Sequence, residues 1–385
     1  MDAQVQPPLT LSPPDRARLL RPLLDEHGAE IDRRRELTPE VVEGLFAQDL
    51  LRVLLPASIG GQEAHLLDHC RTAEALGYAD ASTGWFYNQS NVSAATAAAI
   101  FDGPRTGLAW GAKHSKSRAI RVPGGYRLTG EWGYGSGSRH TTWIGAHSMV
   151  QNPDGTPHIR YGKPDDRSFL FLKSKAKITD DWQVLGLRGT GSDTYSVEDL
   201  FIPDEHAPAR DAMEERREKG PLYVIISNLL YASGFCGVAL GVGRRMLETY
   251  TELARGKTSR AAINSMANNN AVQLEIGLLE AKISSARAFV HEAICQAYEA
   301  AQQDRLDVDL RMRLRLATTY AMQQAADVAY TSYRSAGTTA ILNSAPFERR
   351  FRDAMSVSQH LQGMNAHVEM VGRHLIGSEN VVQWV

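Results

Sequence analysis

The stretch that decides the fold is residues 186–203, GLRGTGSDTYSVEDLFIP. A glycine-rich segment lies here between two runs in which apolar and polar residues alternate. The apolar positions are Trp182 and Val184 before the glycines and Tyr195, Val197, Leu200 and Ile202 after them. Alternation punctuated by Gly, Ser and Asp is typical of a β-hairpin. The residues alone therefore predict two strands joined by a structural turn at 188–192.

Composition excludes several classes of protein. The 385 residues suffice for two or three domains, and a formal net charge of -2 gives no broad attraction to nucleic acid or to an anionic membrane. No run of about 18 apolar residues predicts a membrane span. Cys70, Cys236 and Cys295 lie far apart without a CxxC pair, which argues against a disulfide framework or a thiolate zinc site. With a polar, proline-rich N-terminus, we expect a cytoplasmic protein.

The pattern of apolar residues changes twice along the chain. From about residue 15 to 101 it is helical, with a helix start predicted at Thr38-Pro39 and another at Asp80. From about 107 to 203 short apolar runs alternate with turns such as Gly124-Gly125, which predicts strands. From about 221 onward it is helical again with few breakers, as in a four-helix bundle.

Four further segments carry a family resemblance together with RGTGS. They are LLPASIGG (54–61), DASTGW (80–85), GGYRLTGEWGYGSG (124–137) and ERRFRD (348–353) followed by His360. In this combination the chain resembles the acyl-CoA dehydrogenase-like flavoproteins. It is most similar to their oxygenase branch, the two-component (group D) flavin-dependent monooxygenases.

The resemblance implies an α+β fold of the acyl-CoA dehydrogenase type. We expect an N-terminal helical domain over residues 1–105, a middle β-barrel or β-sandwich domain over 106–210 and a C-terminal four-helix bundle over 211–385. It also implies a homotetramer.

One absence favours the oxygenase branch. Acyl-CoA dehydrogenases need a carboxylate base, commonly soon after the RD motif, whereas residues 354–368 contain no acidic residue and offer His360 and His367 instead. Because some dehydrogenases carry the base elsewhere, an acyl-CoA dehydrogenase or related flavin oxidase stays as the alternative. A non-catalytic helical scaffold that has kept the fold is a second one.

The resemblance implies a chemistry in which the cofactor supplies the reactive group. Reduced flavin, FADH2 in preference to FMNH2, arrives from a separate NAD(P)H-flavin reductase and reacts with O2 as co-substrate. The resulting C4a-hydroperoxide hydroxylates or epoxidises an aromatic small molecule, phenolic or indolic. Oxygenation at nitrogen or sulfur is a variant of the same reaction.

Two residues are the expected catalytic groups. By resemblance Ser136 lies on a strand facing the flavin near N5, where a hydroxyl can accept a hydrogen bond from the N5–H of reduced flavin. His360 continues the helical spacing of Arg352 and Ser356, and imidazole can move protons near neutral pH. Each also has an ordinary structural interpretation, as a serine bonded to backbone and as a packed histidine.

The remaining expected contacts follow from the resemblance. The cofactor contacts are Trp110, Gly111, Ala112, Ser136, Gly137, Arg260, Ser335 and Gly337. The substrate contacts are Trp85, His114 and His360. A core tryptophan, a loop histidine and a surface arginine are the structural alternatives for Trp85, His114 and Arg260.

Two patterns that could indicate other sites are weak. His65 and His69 have the i, i+4 spacing of zinc ligands, but they lack the Glu of HExxH and an evident third ligand. The glycines of segment 186–191 do not form GxGxxG. We therefore expect no metal and no nicotinamide dinucleotide at these positions.

Overall fold

A computed structural model describes residues 11–96, 107–111, 117–209, 212–215, 217–258 and 265–378. Within these ranges the chain runs from helices through strands to helices. The helices are α1 (Pro13–Leu19), α2 (Arg21–Arg34), α3 (Pro39–Ala47), α4 (Leu66–Ala79), α5 (Ala81–Thr96), α6 (Pro221–Val224), α7 (Ser227–Gly256), α8 (Asn270–Gln302), α9 (Val308–Ala336), α10 (Glu348–Ser358) and α11 (Asn365–Leu375). The strands are β1 (Leu108–Gly111), β2 (Arg118–Val122), β3 (Gly125–Trp132), β4 (Trp143–Gln151), β5 (Ile159–Arg160), β6 (Lys163–Pro164), β7 (Asp166–Leu172), β8 (Lys177–Thr179) and β9 (Thr194–Pro203).

Local sequence signals set the helix starts as expected. Thr38 precedes α3 and Pro39 occupies its first turn, where the missing N–H of proline costs nothing. Asp80 precedes α5, and its Oδ1 accepts hydrogen bonds from both the backbone N–H and the hydroxyl of Thr83 at 2.8 Å. The predicted helix starts at both positions are confirmed.

The strands between the two helical parts form one curled sheet. Seven described strands take part, in the order β1-β4-β2-β3-β9-β8, with β7 also paired to β4. The β2–β3 hairpin turns at Gly124, whose φ of +77° favours glycine. The short β5–β6 pair stands apart. The predicted turn at Gly124-Gly125 is confirmed, as is the α+β architecture.

The predicted strand at Trp182–Val184 is wrong. On the edge opposite β3, β9 pairs with β8, which ends three residues before Trp182, and the loop between β8 and β9 folds back on itself. Trp182 Nε1 donates to the carbonyl of Leu187 at 3.1 Å, and its ring packs edge-on against Tyr134. These contacts cover the Trp182 ring, whose burial the alternating pattern attributes to a strand. Residues 188–190 form a 3₁₀ turn rather than the tip of a tight hairpin.

The hydrophobic core has two parts. One is shared by the N-terminal and C-terminal helices, and the other fills the sheet. On α7, Gly237 and Gly241 lie where a Cβ would collide with backbone atoms of α4, so the two helices approach closely. The expected domain limits near 105 and 210 lie outside the described residues. No helix in the described ranges has the length and apolarity needed to cross a bilayer.

Candidate functional site

The glycine-rich segment 186–193 is wedged between helices and the turn that follows β3. Arg188 Nε donates to the carbonyl of Asp32 at 3.0 Å, which ties the segment to α2. Gly189 packs so tightly against Ile31 and Ser82 that a Cβ would collide with them. Asp193 accepts two hydrogen bonds from Arg139, at 2.6 and 2.9 Å. The segment is therefore held from three sides.

The RD motif on α10 cross-links the same region. Arg349 pairs with the buried Asp80 at 2.8 Å, and Arg352 pairs with Asp32 at 3.0 Å. Asp353 Oδ1 accepts from the backbone N–H of Leu187 at 2.7 Å. The DASTGW, RGTGS and ERRFRD segments, which lie far apart in sequence, thus meet in one place.

Ser136 is buried in a turn after β3 and not on a strand, so the expectation that it lies on a strand is wrong. The peptide N–H of Ser136 bonds back to the carbonyl of Tyr134 at 2.8 Å, which ends the extended backbone there. The Ser136 hydroxyl lies 2.7 Å from Ser192 Oγ and accepts from Trp85 Nε1 at 3.1 Å. Ser192 Oγ lies 2.7 Å from Thr190 Oγ1.

His360 lies beyond the end of α10, so the predicted helical spacing does not reach it. The helix ends at Ser358, and His360 has the extended values φ -65° and ψ 145°. Its Nδ1 accepts from the backbone N–H of Gln362 at 3.3 Å and so caps the next turn. The ring lies edge-on to Trp85, with centroids 5.0 Å apart, and 4.3 Å from Phe235. His360 and Ser136 therefore contact the same tryptophan.

The imidazole of His360 is neutral at neutral pH. Burial lowers its pKa to about 3, and the positive charge of Arg315 acts in the same direction. Because Nδ1 accepts a hydrogen bond, the single proton of the neutral ring lies on Nε2. Burial likewise lowers the pKa of His367 to about 4, and its Nε2 lies 2.9 Å from the carbonyl of Leu361.

Aromatic rings pack together where α5, α7 and β1 meet. Trp85 packs on Phe235 at 4.0 Å, Phe235 stacks on Tyr231 at 5.9 Å, and Tyr231 faces Trp110 at 6.4 Å. Trp85 and Trp110 were expected here. Phe235 and Tyr231 were not, although their i, i+4 spacing on α7 puts both rings on one face. For Thr190 and Ser192 the sequence predicts only a structural role.

The other expected contacts are placed as follows. Gly111 N donates to the Tyr195 hydroxyl at 2.7 Å, and Gly137 N donates to the carbonyl of Thr190 at 2.9 Å. Ser335 is in the last turn of α9 and Gly337 follows it with a φ of +64°. The three residues Ala112, His114 and Arg260 lie outside the described residues.

The two histidines with zinc-like spacing have other partners. His65 Nδ1 accepts from the backbone N–H of Leu67 at 3.0 Å. His69 lies between the Tyr87 hydroxyl at 3.0 Å and Asn88 Oδ1 at 2.8 Å, and burial lowers its pKa to about 4. His65 thus caps the start of α4, and His69 joins α4 to α5.

Two cavities lie away from the Ser136–His360 cluster. One of about 200 Å³ is bounded by the β-sheet and the α6 region, with Arg167 and Tyr223 in its wall. The other is a groove of about 1040 Å³ along α7 and α8, where Arg244 and Phe347 contribute. Between Ser136 and His360 the buried Trp85 side chain fills the position, with its Nε1 hydrogen-bonded to Ser136 Oγ.

The polar groups at the cluster fit a flavin ring, which carries alternating hydrogen-bond donors and acceptors. Ser136 Oγ keeps one lone pair after its contacts with Trp85 and Ser192. Thr141 Oγ1, in the same turn, is buried without a hydrogen-bond partner among the described residues. A buried hydroxyl of this kind calls for a ligand or water. Among the described residues, one free acceptor and one unpaired hydroxyl here suit the hydrogen-bonding edge of such a ring.

Comparison with known proteins shows the family of the chain. Residues 17–101 match the acyl-CoA dehydrogenase N-terminal domain and residues 233–365 the C-terminal domain. Indole-3-acetate monooxygenase of Pseudomonas putida is 31% identical over 90% of this chain and 86% of its own length. The flavin-dependent monooxygenase oxygenase subunit HsaA of Rhodococcus jostii is 27% identical, over 89% of this chain and 92% of its own.

A solved structure has the same fold. XiaF from Streptomyces sp., in complex with FADH2 and glycerol, superposes with a TM-score of 0.87 at 23% identity, over 96% of each chain. The resemblance drawn from the motifs is confirmed, and so is the choice of the oxygenase branch. The chain belongs to the oxygenase components of the flavin-dependent monooxygenases, within the acyl-CoA dehydrogenase family.

Proposed function

We propose that this oxygenase hydroxylates or epoxidises an electron-rich aromatic, a phenol or an indole. One observation carries the proposal: Trp85 contacts Ser136 through its indole N–H and His360 through its ring, within a wall of aromatic side chains. Such a wall suits a flat aromatic substrate, because offset and edge-to-face ring contacts add to apolar burial. The P. putida relative is named for an indole substrate.

Reduced flavin is the cofactor, and a separate reductase supplies it. FADH2 is preferred over FMNH2. Bound there, the flavin supplies the activation of dioxygen. Ser136 would accept a hydrogen bond from the flavin N5–H, while the backbone of Trp110, Gly111, Ala112 and Gly137 would border the ring. Arg260, Ser335 and Gly337 would hold the more distant part of the cofactor.

His360 orients the substrate through Nε2–H. A neutral imidazole with its proton on Nε2 donates to a substrate oxygen or to the oxygen that is being transferred. Trp85 and His114 border the substrate ring. Burial of Ser136 and its neighbours excludes water from the reacting atoms, which protects them from side reactions.

The assembly is a homotetramer in this proposal. On α8, Leu274 and Leu278 are 65% and 61% exposed and lie one helical turn apart. Tyr330 on α9 is 46% exposed. Apolar side chains exposed in this way on long helices favour burial against further copies of the chain. Light scattering of the purified protein measures its mass in solution, and a mass of four chains is the result expected for a homotetramer.

The experiment that tests the function supplies reduced flavin and ¹⁸O₂ to the protein with indole or a simple phenol. We expect one labelled oxygen in the product. We also expect no oxidation of NADH until a flavin reductase is added. Tight binding of oxidised FAD, with its reduction by an acyl-CoA and no labelled product, would instead establish a dehydrogenase.

A further inference from the structure

A chain of hydroxyl groups leads from the glycine-rich segment to Ser136, and its direction is fixed by counting hydrogens. Thr190 Oγ1 lies 2.8 Å from the carbonyl oxygen of Leu187, which can only accept. The Thr190 hydroxyl therefore donates its only hydrogen to the Leu187 carbonyl. At its 2.7 Å contact with Ser192, Thr190 must accept, so Ser192 donates.

The same count carries on to Ser136. Since the Ser192 hydroxyl donates to Thr190, Ser192 must accept at its 2.7 Å contact with Ser136, and Ser136 is therefore the donor there. Trp85 Nε1 can only donate, and Ser136 Oγ accepts this hydrogen bond at 3.1 Å with one of its two lone pairs. Ser136 is left with one lone pair and no free proton.

We infer that Thr190 and Ser192 are positioning residues that make the site select reduced over oxidised flavin. This rests on the proposed function, in which Ser136 faces flavin N5. Reduced flavin presents an N5–H, which donates to the remaining lone pair of Ser136. Oxidised flavin presents only a lone pair at N5, and the Ser136 proton is turned away from it.

The anchor of this chain is well held. The Leu187 carbonyl that receives the Thr190 proton belongs to a residue with φ +54°, whose own N–H is fixed by Asp353 at 2.7 Å. Thr190, Ser192 and Ser136 are all nearly fully buried, so water does not compete for their hydrogen bonds. If the Ser136 hydroxyl is to donate to N5 while the chain stays bonded, Ser192 must donate to Ser136 and Thr190 must donate to Ser192. Thr190 then gives up its hydrogen bond to the Leu187 carbonyl.

Anaerobic titration with reduced FAD and with oxidised FAD tests the inference. Thr190→Val keeps the shape but frees the Ser192 proton to turn toward Ser136, whose proton can then face N5. We expect weaker binding of reduced FAD, tighter binding of oxidised FAD and an affinity ratio that falls about 3- to 10-fold, the range of one hydrogen bond. Ser192→Ala shifts the ratio in the same direction, since the Ser136 proton loses its acceptor.

Two variants serve as controls. Thr190→Ser keeps the hydroxyl and restores the ratio. Thr251→Val removes a hydroxyl that donates to the Leu247 carbonyl at 2.8 Å on α7, far along the helix from Phe235, and leaves the ratio unchanged. If Thr190→Val does not fold, Ser192→Ala carries the test alone.

The outcomes separate this inference from the proposed function. If both FAD affinities fall together in Thr190→Val and Ser192→Ala, the two residues are merely structural and the inference is overturned, while labelled product from the wild type still supports the function. If the wild type neither binds reduced FAD nor oxygenates an aromatic, both are overturned.

Discussion

The backbone N–H of Leu187 donates to Asp353 Oδ1 at 2.7 Å, across 166 residues of sequence. Leu187 adopts a left-handed conformation with φ +54°, which a leucine rarely does without support from its surroundings. Its carbonyl accepts hydrogen bonds from the Thr190 hydroxyl and from Trp182 Nε1. One carboxylate on α10 thus holds the residue whose carbonyl accepts the first hydrogen bond of the hydroxyl chain that leads to Ser136.

Asp353→Asn should flatten the dependence of stability on pH. Burial raises the pKa of Asp353 to about 6, with Asp80 acting in the same direction and Arg349 against it. The folded protein therefore binds this proton more tightly than the unfolded chain. The stabilisation is fully present below about pH 4 and is lost as the pH rises through about 6, by about 3 kcal/mol. Urea unfolding across that range measures the slope.

Asp353→Ala provides the comparison for this test. It also removes the titrating group, but it leaves the buried Leu187 N–H without an acceptor, at a cost of about 1–3 kcal/mol at any pH. The asparagine variant keeps an oxygen acceptor and escapes that cost. An unchanged pH slope in both variants would show that Asp353 titrates like an exposed carboxyl.

Gly189→Ala should destabilise the protein and displace Thr190. The added Cβ collides with Ile31 and Ser82, and overpacking of this kind costs about 1–3 kcal/mol. The matched control is Gly372→Ala on α11, where nothing lies within 4 Å of the added Cβ. There alanine stabilises the helix by about 0.5–1 kcal/mol. Thermal unfolding of both variants checks the opposite signs.

The parts of the fold that sequence predicted are those with strong local signals. Thr38-Pro39, Asp80 and Gly124-Gly125 each fix a helix start or a turn through their own backbone and side-chain chemistry, so neighbours elsewhere in the chain matter little. The assignment to the oxygenase branch rested on motifs that the structure brings together. The strand predicted at Trp182 is wrong because its ring packs on Tyr134 and its indole N–H donates to the Leu187 carbonyl, contacts that periodicity does not contain.

The site was predicted less completely than the fold. No Gly or Pro marks the end of α10, so the spacing predicts a helix as far as His360, whereas the helix ends at Ser358 with a backbone cap at Gln359. Phe235 and Tyr231 lie in the first half of α7, where nearly every residue from 227 to 243 is buried, so apolar character there does not single out these two. The direction of the Thr190–Ser192–Ser136 chain depends on distances between hydroxyl groups, which only the structure provides.

His360→Ala should keep the fold and flavin binding but lose product formation by about 10²–10³-fold, the effect of removing one positioned hydrogen-bond donor. His360→Gln, which retains an N–H donor, should recover part of the activity. Since the pKa of His360 is lowered to about 3, its ring stays neutral from about pH 5 to 8 and adds no inflection to the rate there. Single-turnover rates across that range check this. A limb near pH 6.5 that disappears in His360→Gln would contradict it.

Ser136→Ala should separate oxygen consumption from product formation. Loss of one hydrogen bond weakens capture of reduced flavin by only about 0.5–1.5 kcal/mol, so flavin turnover persists. Release of hydrogen peroxide requires the flavin N5 proton to leave, and the Ser136 lone pair that accepts from this N–H opposes its loss. Lowering that barrier by about 1.4 kcal/mol makes peroxide release tenfold faster. The measurement is the ratio of peroxide to oxygenated product at matched flavin turnover, which we expect to rise. Ser285→Ala, which removes an exposed hydroxyl bonded to the Lys282 carbonyl on α8, should leave the ratio at its wild-type value. An unaltered ratio in a folded Ser136→Ala protein would place Ser136 outside the reaction.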